Sequence, residues 1–316
     1  MISIVIPFVR ASAEQSPNIR ADNHLATYYR AMVVTFASVR RWNPDVDLIL
    51  VTNHTAPEEF ARQLHGLGVS EQLEPFAHEP PAGFNRSFAA SLYMLDALGQ
   101  PAAAKQVLYV DPDVLCVRPL GDMRAACGDA VGALPLSYPV DHDVNGLTRR
   151  QAAELHTELG EATDSPPQHF GGECYVVPAG LAPTLIDRAE SAWRLSLDRY
   201  ERHESRFTTE EHIMAFALRG VPVVNLSPFV RRIWTAARHR TVDGCEPELT
   251  LWHLPAEKDR GFAEMYSLAT DRDSWFWRAG ADEFTQRAAR SMGLSNRRPS
   301  RFVRDLAGAV YSRVRR

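Results

Sequence analysis

Lysine is almost missing from this chain. Of 35 basic residues only Lys105 and Lys258 are lysine, and the other 33 are arginine. Codon preference in a GC-rich genome accounts for the bias, so the count alone assigns no phosphate site, although the guanidinium fork suits phosphate well. The four cysteines, Cys116, Cys127, Cys174 and Cys245, form no C-x-x-C pair, which argues against a zinc knuckle or a thioredoxin-type centre. Cys116 and Cys174 sit in apolar runs and read as buried thiols. No apolar run reaches the ~18 residues of a spanning helix, and MISIVIPFV opens the chain as a strand pattern rather than a charged leader. A reducing, cytoplasmic setting is therefore expected. Positive charge is not in excess either: the net charge of −4 argues against nucleic acid as a partner. Internal repeats are absent.

Apolar residues make up 45% of the 316, enough for the core of one large α/β domain. ISIVIPFV (2–9), DLILVTN (47–53) and QVLYV (106–110) read as buried strands. Between them, Leu25, Tyr28, Met32, Phe36 and Val39 repeat at helical spacing until Trp42-Asn43-Pro44 closes the pattern. Helices are also expected over 56–66 and about 86–98, the latter carrying Phe88, Leu92, Leu95 and Leu98. The alternation predicts a mainly parallel sheet flanked by helices, with chemistry on loops at the C-terminal strand ends. Residues 136–168, with SYPVDHDVNG and TDSPPQ, read as a long surface excursion. Beyond it the pattern predicts a strand at ECYVV (173–177), a helix over about 183–200, another from near Thr208, and strands at VPVVNL (221–226) and ELTLW (248–252).

VLYVDPDVLCVRPL (107–120) ends a buried strand in two aspartates one residue apart. In a strand, residues i and i+2 share a side, so Asp111 and Asp113 would project together. Two carboxylates that close repel, and either a proton or a divalent ion resolves the conflict. Oxygen ligands favour Mg²⁺, Mn²⁺ or Ca²⁺. The competing reading is a plain turn, for which Asp-Pro-Asp is good chemistry. The stretch matches the hhhhDxDx[T/V] of haloacid-dehalogenase-like phosphatases. Here, however, it arrives past residue 110, the only downstream lysine is Lys258, and no GDxxxD follows.

The same stretch resembles the metal-dependent glycosyltransferases of the GT-A fold, and YVDPDVLCVRPL in particular resembles their retaining family 8. More of the chain is similar, in order, over about residues 2–255. RADNHLATYYRAMVVTFASVRRWNP resembles the family's first helix, FNRSFAASLYMLDAL the helix before the metal strand, and HFGGECYVV a strand that there begins Asn-Ala-Gly. TTEEHIMAFAL resembles the D-Q-D-x-L-N helix start, with some likeness to family 6, and LWHLP the late metal-binding histidine. The loop after the first strand is longer than usual, and Ala215 replaces the last Asn of D-Q-D-x-L-N. The resemblance implies a GT-A domain over 1–290, its donor-binding half at about 1–120 and its acceptor half at about 121–290. It implies that Asp111, Asp113 and His253 hold Mn²⁺, with Mg²⁺ the alternative. Asp22, Asn23, Arg86, Asp111, Gly171 and Gly172 would contact a nucleotide-sugar donor, UDP-linked. The acceptor would be a saccharide, a lipid-linked saccharide or a small molecule.

Glu211 and Glu210 are the implied catalytic pair. Glu211 would act at the anomeric carbon, as a nucleophile or as a stabiliser of same-face attack, and Glu210 would orient hydroxyls. A structural reading competes: Thr208 to Glu211 fits a capping box, with Glu211 reaching back to Thr208. An inverting enzyme would instead need a base such as Asp141 or Asp143. A phosphatase of another lineage and a silent nucleotide-sugar-binding protein are further alternatives. The segment 291–316 reads as a separate basic tail. Its last twenty residues carry seven arginines and one aspartate. They place Phe302, Val303, Leu306, Val310 and Val314 on one stripe, a pattern that fits peripheral contact with anionic membrane. A helix packed on the domain or a frayed terminus fits it as well.

Overall fold

The apolar runs fold into a seven-stranded and a three-stranded sheet. A computed structural model of the chain describes residues 2–10, 24–85, 87–100, 103–162 and 164–295. In chain order these form β1 (Ile2–Phe8), α1 (His24–Trp42), β2 (Asp47–Thr52), α2 (Glu58–Gly66), β3 (Val69–Leu73), α3 (Tyr93–Ala97), β4 (Gln106–Val110), β5 (Val114–Cys116), α4 (Gly121–Cys127) and β6 (Val131–Leu136). There follow α5 (Arg149–Glu158), β7 (His169–Pro178), α6 (Ala182–Glu201), α7 (Glu210–Ala217), β8 (Val223–Asn225), β9 (Val230–Arg232), β10 (Leu251–His253), α8 (Gly261–Thr270), α9 (Trp275–Arg278) and α10 (Ala281–Ser291). The 291–316 tail expected from sequence lies outside the described residues from 296 onward.

The main sheet runs β3-β2-β1-β4-β7-β6-β8, and the small one β5-β10-β9. β3, β2, β1 and β4 are parallel, while β7 is antiparallel to both β4 and β6. β1 has β2 on one side and β4 on the other, so the chain switches direction at its C-terminal end, where crevices form in such sheets. The central strands are covered on both faces. Leu108 and Val110 of β4 pack into the core beneath α1, and Val107 and Tyr109 into the core beneath α3, α6 and α7. Burial on both faces explains why the sequence shows continuous apolar runs instead of alternation.

Several boundaries differ from the sequence expectation. The helix expected over 86–98 is a 3₁₀ turn, Ala89–Leu92, leading into the short α3. The 136–168 excursion contains α5, whose start Thr148 and Gln151 fix with a capping box. β3, β6 and β9 are strands that periodicity did not signal. VSEQL and VRR are short and half polar, and VGALPL holds a glycine and a proline. The strand expected at 248–252 is displaced to β10 by a 3₁₀ turn at Glu246–Glu248. No described helix is long and apolar enough to cross a membrane.

The segment between β3 and α3 is pinned by a histidine. His78 Nδ1 lies 2.6 Å from Asp96 Oδ1, and Nε2 lies 3.1 Å from Glu190 Oε2 on α6. Burial alone would lower the His78 pKa, but the hydrogen bond and charge of Asp96, helped by Glu190, outweigh it and raise it. A raised folded pKa stabilises fully below the unfolded value of about 6.5 and loses its effect as pH rises through the folded one. His78→Gln should therefore lower the Tm by a few degrees at pH 5.5 and by much less at pH 9, read by differential scanning fluorimetry across pH.

Candidate active site

Asp-Pro-Asp is a turn, and it is also where the two carboxylates meet. β4 stops at Val110, and the Val114 amide donates to the Asp111 carbonyl at 3.3 Å to close the turn before β5 begins. Pro112 cannot donate to a ladder, and its carbonyl instead accepts from the buried Thr35 hydroxyl of α1 at 2.7 Å. The turn reading therefore holds, and the turn leaves both carboxylates within reach of one another. His253 reaches the same spot from far along the chain. β10 pairs antiparallel with β5, setting His253 opposite Val114, and the Leu254 amide donates to the Asp113 carbonyl at 3.0 Å.

The result is a close triad. His253 Nε2 lies 3.4 Å from Asp111 Oδ2 and 3.5 Å from Asp113 Oδ2, and one donor atom from each residue falls within 4.8 Å of the others. Two carboxylate oxygens and one imidazole nitrogen suit a divalent ion, and the nitrogen tilts the set towards Mn²⁺. The other ring nitrogen, Nδ1, is buried without a hydrogen bond, with Glu173 Oε1 3.7 Å away. The three residues fit a metal. Lys258 is buried and donates from Nζ to Asp113 Oδ2. Burial would lower the His253 pKa, but Asp113 and Glu173 overcome it and hold the ring up to about 9. Lys258 and His253 together keep Asp113 ionised against its burial.

A second acidic group lies beside the first. β7 pairs with β4, and the Asp111 amide donates to the Glu173 carbonyl at 3.2 Å. Against β6, the register of β7 shifts between Ala133 and Leu134, an irregularity of the kind that re-aims side chains. Glu173 points inward, fully buried, and Arg232 at the end of β9 engages it with Nε at 3.1 Å and Nη2 at 2.5 Å. The same Nη2 lies 2.5 Å from Glu211 Oε1. Glu211 also accepts from the Gly172 amide at 3.0 Å and faces His169 Nε2 at 3.0 Å. The capping-box expectation fails here. The N-cap of α7 is Thr209, its side chain makes no capping bond, and Glu211 turns into the protein. Glu210, beside it, has a buried Oε2 with no hydrogen-bond partner. Burial and the charge of Glu211 push its pKa up to about 8.

These groups line a cavity of about 600 Å³. Asp111, Asp113, His253 and Lys258 form one part of its wall, and Gly172, Glu210, Glu211 and Arg232 another. His24 and Tyr28 of α1 close the side near β1, and Tyr138, His142, Asp143 and Trp234 the remaining side. Gly171 is not part of the lining. Asp141 is exposed and paired with Arg150 at 2.7 Å, whereas Asp143 faces the cavity. Asp22, Asn23 and Arg86 lie outside the described residues. Glu173, Arg232, His169 and Lys258 were not singled out as site residues from the sequence. Glu173 left a usable signal, a charge inside the apolar run ECYVV, since a buried charge needs a partner.

No family model matches the chain, and no curated protein does. Solved structures do. The galactosyltransferase LgtC, in complex with donor and acceptor sugar analogues, superposes with a TM-score of 0.51 at 16% identity, over 96% of this chain and 100% of LgtC. The bifunctional glycosyltransferase WbbM gives 0.52 at 13% identity, over 90% of this chain and 51% of WbbM. The glycosyltransferase GlyE of Streptococcus pneumoniae TIGR4 gives 0.51 at 13% identity, over 91% of this chain and 65% of GlyE. The chain thus spans about half of WbbM and just under two thirds of GlyE. At these identities the likeness is one of fold, the mixed α/β architecture of the GT-A type.

Both glycines of the HFGGE stretch are required by neighbouring side chains. A Cβ on Gly171 would stand 2.1 Å from Glu173 Oε2, and one on Gly172 2.2 Å from Glu210 Oε1. Glu173 cannot give way, because it is fully buried and clamped by Arg232. Gly171→Ala should therefore destabilise the protein by about 1–3 kcal/mol, measured by urea unfolding, with a smaller loss for Gly172→Ala, whose nearest neighbour is the end of the Glu210 side chain, which Arg232 does not clamp.

Proposed function

We propose that this protein is a metal-dependent glycosyltransferase, moving a sugar from a UDP-linked donor to a saccharide, lipid-linked or small-molecule acceptor with retention of configuration. The observation that carries the reading is the convergence, on one cavity, of a divalent-ion triad and a buried glutamate pair at the crevice end of this fold. A cavity of about 600 Å³ falls in the usual range for sites of this kind.

In this reading Asp111, Asp113 and His253 hold Mn²⁺, with Mg²⁺ as the substitute. When bound, the ion neutralises charge that grows on a departing diphosphate. Lys258 adds a fixed positive charge on the same wall. Arg86 serves the diphosphate, and Asp22 and Asn23 serve the nucleobase, where α1 begins. Gly172 brings backbone close to the sugar, a role for which Gly171 has less support because it stands behind the cavity wall. Glu210 orients hydroxyl groups, and Glu211 places negative charge against the anomeric carbon as it becomes cationic. Asp143 is the base an inverting enzyme would use, and product anomeric configuration by NMR separates the two outcomes. The 297–316 tail would hold the enzyme at an anionic membrane face.

A panel of nucleotide sugars with and without Mn²⁺ tests the reading by thermal shift. UDP-sugars should raise the Tm only with metal present. Asp111→Asn and Asp113→Asn should each remove that shift, and an unchanged shift in both would count against the triad. The metal response should also depend on pH. His253 must give up its proton to bind, and burial raises the Asp111 carboxyl to about 7, so apparent Mn²⁺ affinity should climb at least tenfold per pH unit from pH 6 towards pH 8. Isothermal titration calorimetry at pH 6, 7 and 8 would read it.

A further inference from the structure

Glu211 is held more firmly than a group that must move into a bond. Its Oε1 accepts from the Gly172 amide and from Arg232, and its Oε2 faces His169 Nε2. That fills three of the roughly four acceptor positions of a carboxylate, and 6% of the residue is exposed. Arg232 cannot follow if Glu211 swings, because its Nε and Nη2 are already committed to Glu173. Glu173 is in turn fixed in β7, whose backbone pairs with β4. Glu210 is the opposite case. It lines the cavity and has a buried carboxyl oxygen without a partner.

We infer that Arg232 is a positioning residue that locks Glu211 in place as a permanent anion. Glu211 then acts on the sugar through its charge, not by bonding to it, and Glu210 is the carboxyl left to meet substrate hydroxyls. The inference rests on the transferase reading above and deepens it. The groups facing Glu211 support it together. Burial and the neighbouring Glu210 disfavour its charge. Arg232 and His169 outweigh them and hold its pKa well below the ordinary carboxylate range.

The test compares wild type, Arg232→Lys and Arg232→Gln in Mn²⁺-dependent hydrolysis of UDP-glucose and UDP-galactose from pH 5.5 to 8.5. Wild type should show no acid limb owed to Glu211. Arg232→Gln should lose about tenfold or more in kcat at pH 6 and regain part of it at pH 8, because Glu211 then titrates in the working range. UDP affinity should change by less than about threefold, and Arg232→Lys should recover the wild-type profile at a reduced rate. Intact-mass analysis of wild type under turnover should find no glycosyl adduct. A glycosylated Glu211, or an Arg232→Gln profile within twofold of wild type at every pH, would overturn the assignment. If Arg232→Gln does not fold, the wild-type adduct measurement and the position of Glu211 in a substrate-free crystal structure decide the claim. If wild type turns over neither donor, the transferase reading is what fails for these sugars. The positioning claim is then decided by a substrate-free crystal structure, where Glu211 turned away from Arg232 into the cavity would refute it.

Discussion

Five carboxyl groups, Asp111, Asp113, Glu173, Glu210 and Glu211, converge at one end of the main sheet, and the structure has to keep them from driving one another apart. Two unit charges 5 Å apart in a protein-like medium cost about 3 kcal/mol, so the set is tolerable only with cations interleaved. Arg232 sits between Glu173 and Glu211, His253 among Asp111, Asp113 and Glu173, and Lys258 on Asp113. Glu210 has no cation against it among the described residues, and burial with the charge of Glu211 pushes its pKa up to about 8. The balance comes out close to neutral by position, with each charge answered by a specific neighbour. Buried pairs of this kind contribute little to stability on their own, and their value lies in holding chemistry at fixed places.

The placement depends on backbone devices that have little to do with charge. α1 contributes Thr35 to the Pro112 carbonyl and Ser38 to the Cys116 amide, so the helix beneath the sheet sets the height of the Asp-Pro-Asp turn. The β5–β10 pairing brings His253 to that turn, and the parallel β10–β9 pairing puts Arg232 level with His253. The register shift in β7 aims Glu173 inward, and the two glycines before it leave room for two carboxylates that any side chain would strike. Cations and anions therefore arrive on the β4–β5 turn, β7, α7, β9, β10 and the turn that follows β10.

Much of this arrangement was legible in the sequence and part of it was not, for identifiable reasons. The doubly buried strands β1, β2 and β4 announce themselves as unbroken apolar runs. The D-x-D following such a run carries its electrostatic problem openly. The parallel pairing of β1, β2 and β4 followed from the alternation of strands and helices, while the antiparallel β7 was implied only by the resemblance. Arg232 was hidden because one arginine among 33 carries no signal, and its strand is three residues long. His169 was visible as a replacement within a motif, but its contact with Glu211 crosses 42 positions and depends on the β7 register, which no local pattern encodes. Glu211 was singled out by resemblance, while the capping box that fits the same letters failed. The helix starts one residue later than that box requires, and an acidic side chain with Arg232 and His169 within reach is better placed inside than folded back on its own backbone.

The scarcity of lysine then acquires a structural meaning at one position. Lys105 lies on the surface at the approach to β4, where arginine would serve as well. Lys258 is buried to 6% exposure, directs its ammonium at Asp113 and lies 5.9 Å from the ring of Tyr28. A guanidinium brings five N–H donors in a rigid plane, and the pocket around Asp113 Oδ2 already holds His253 at 3.5 Å. Arginine there would bury donors without acceptors and crowd the imidazole, each at a cost of about 1–3 kcal/mol. A compact point charge avoids both penalties. In a chain that uses arginine almost everywhere else, the single buried lysine stands where shape as well as charge decides, at the corner on which the proposed chemistry turns.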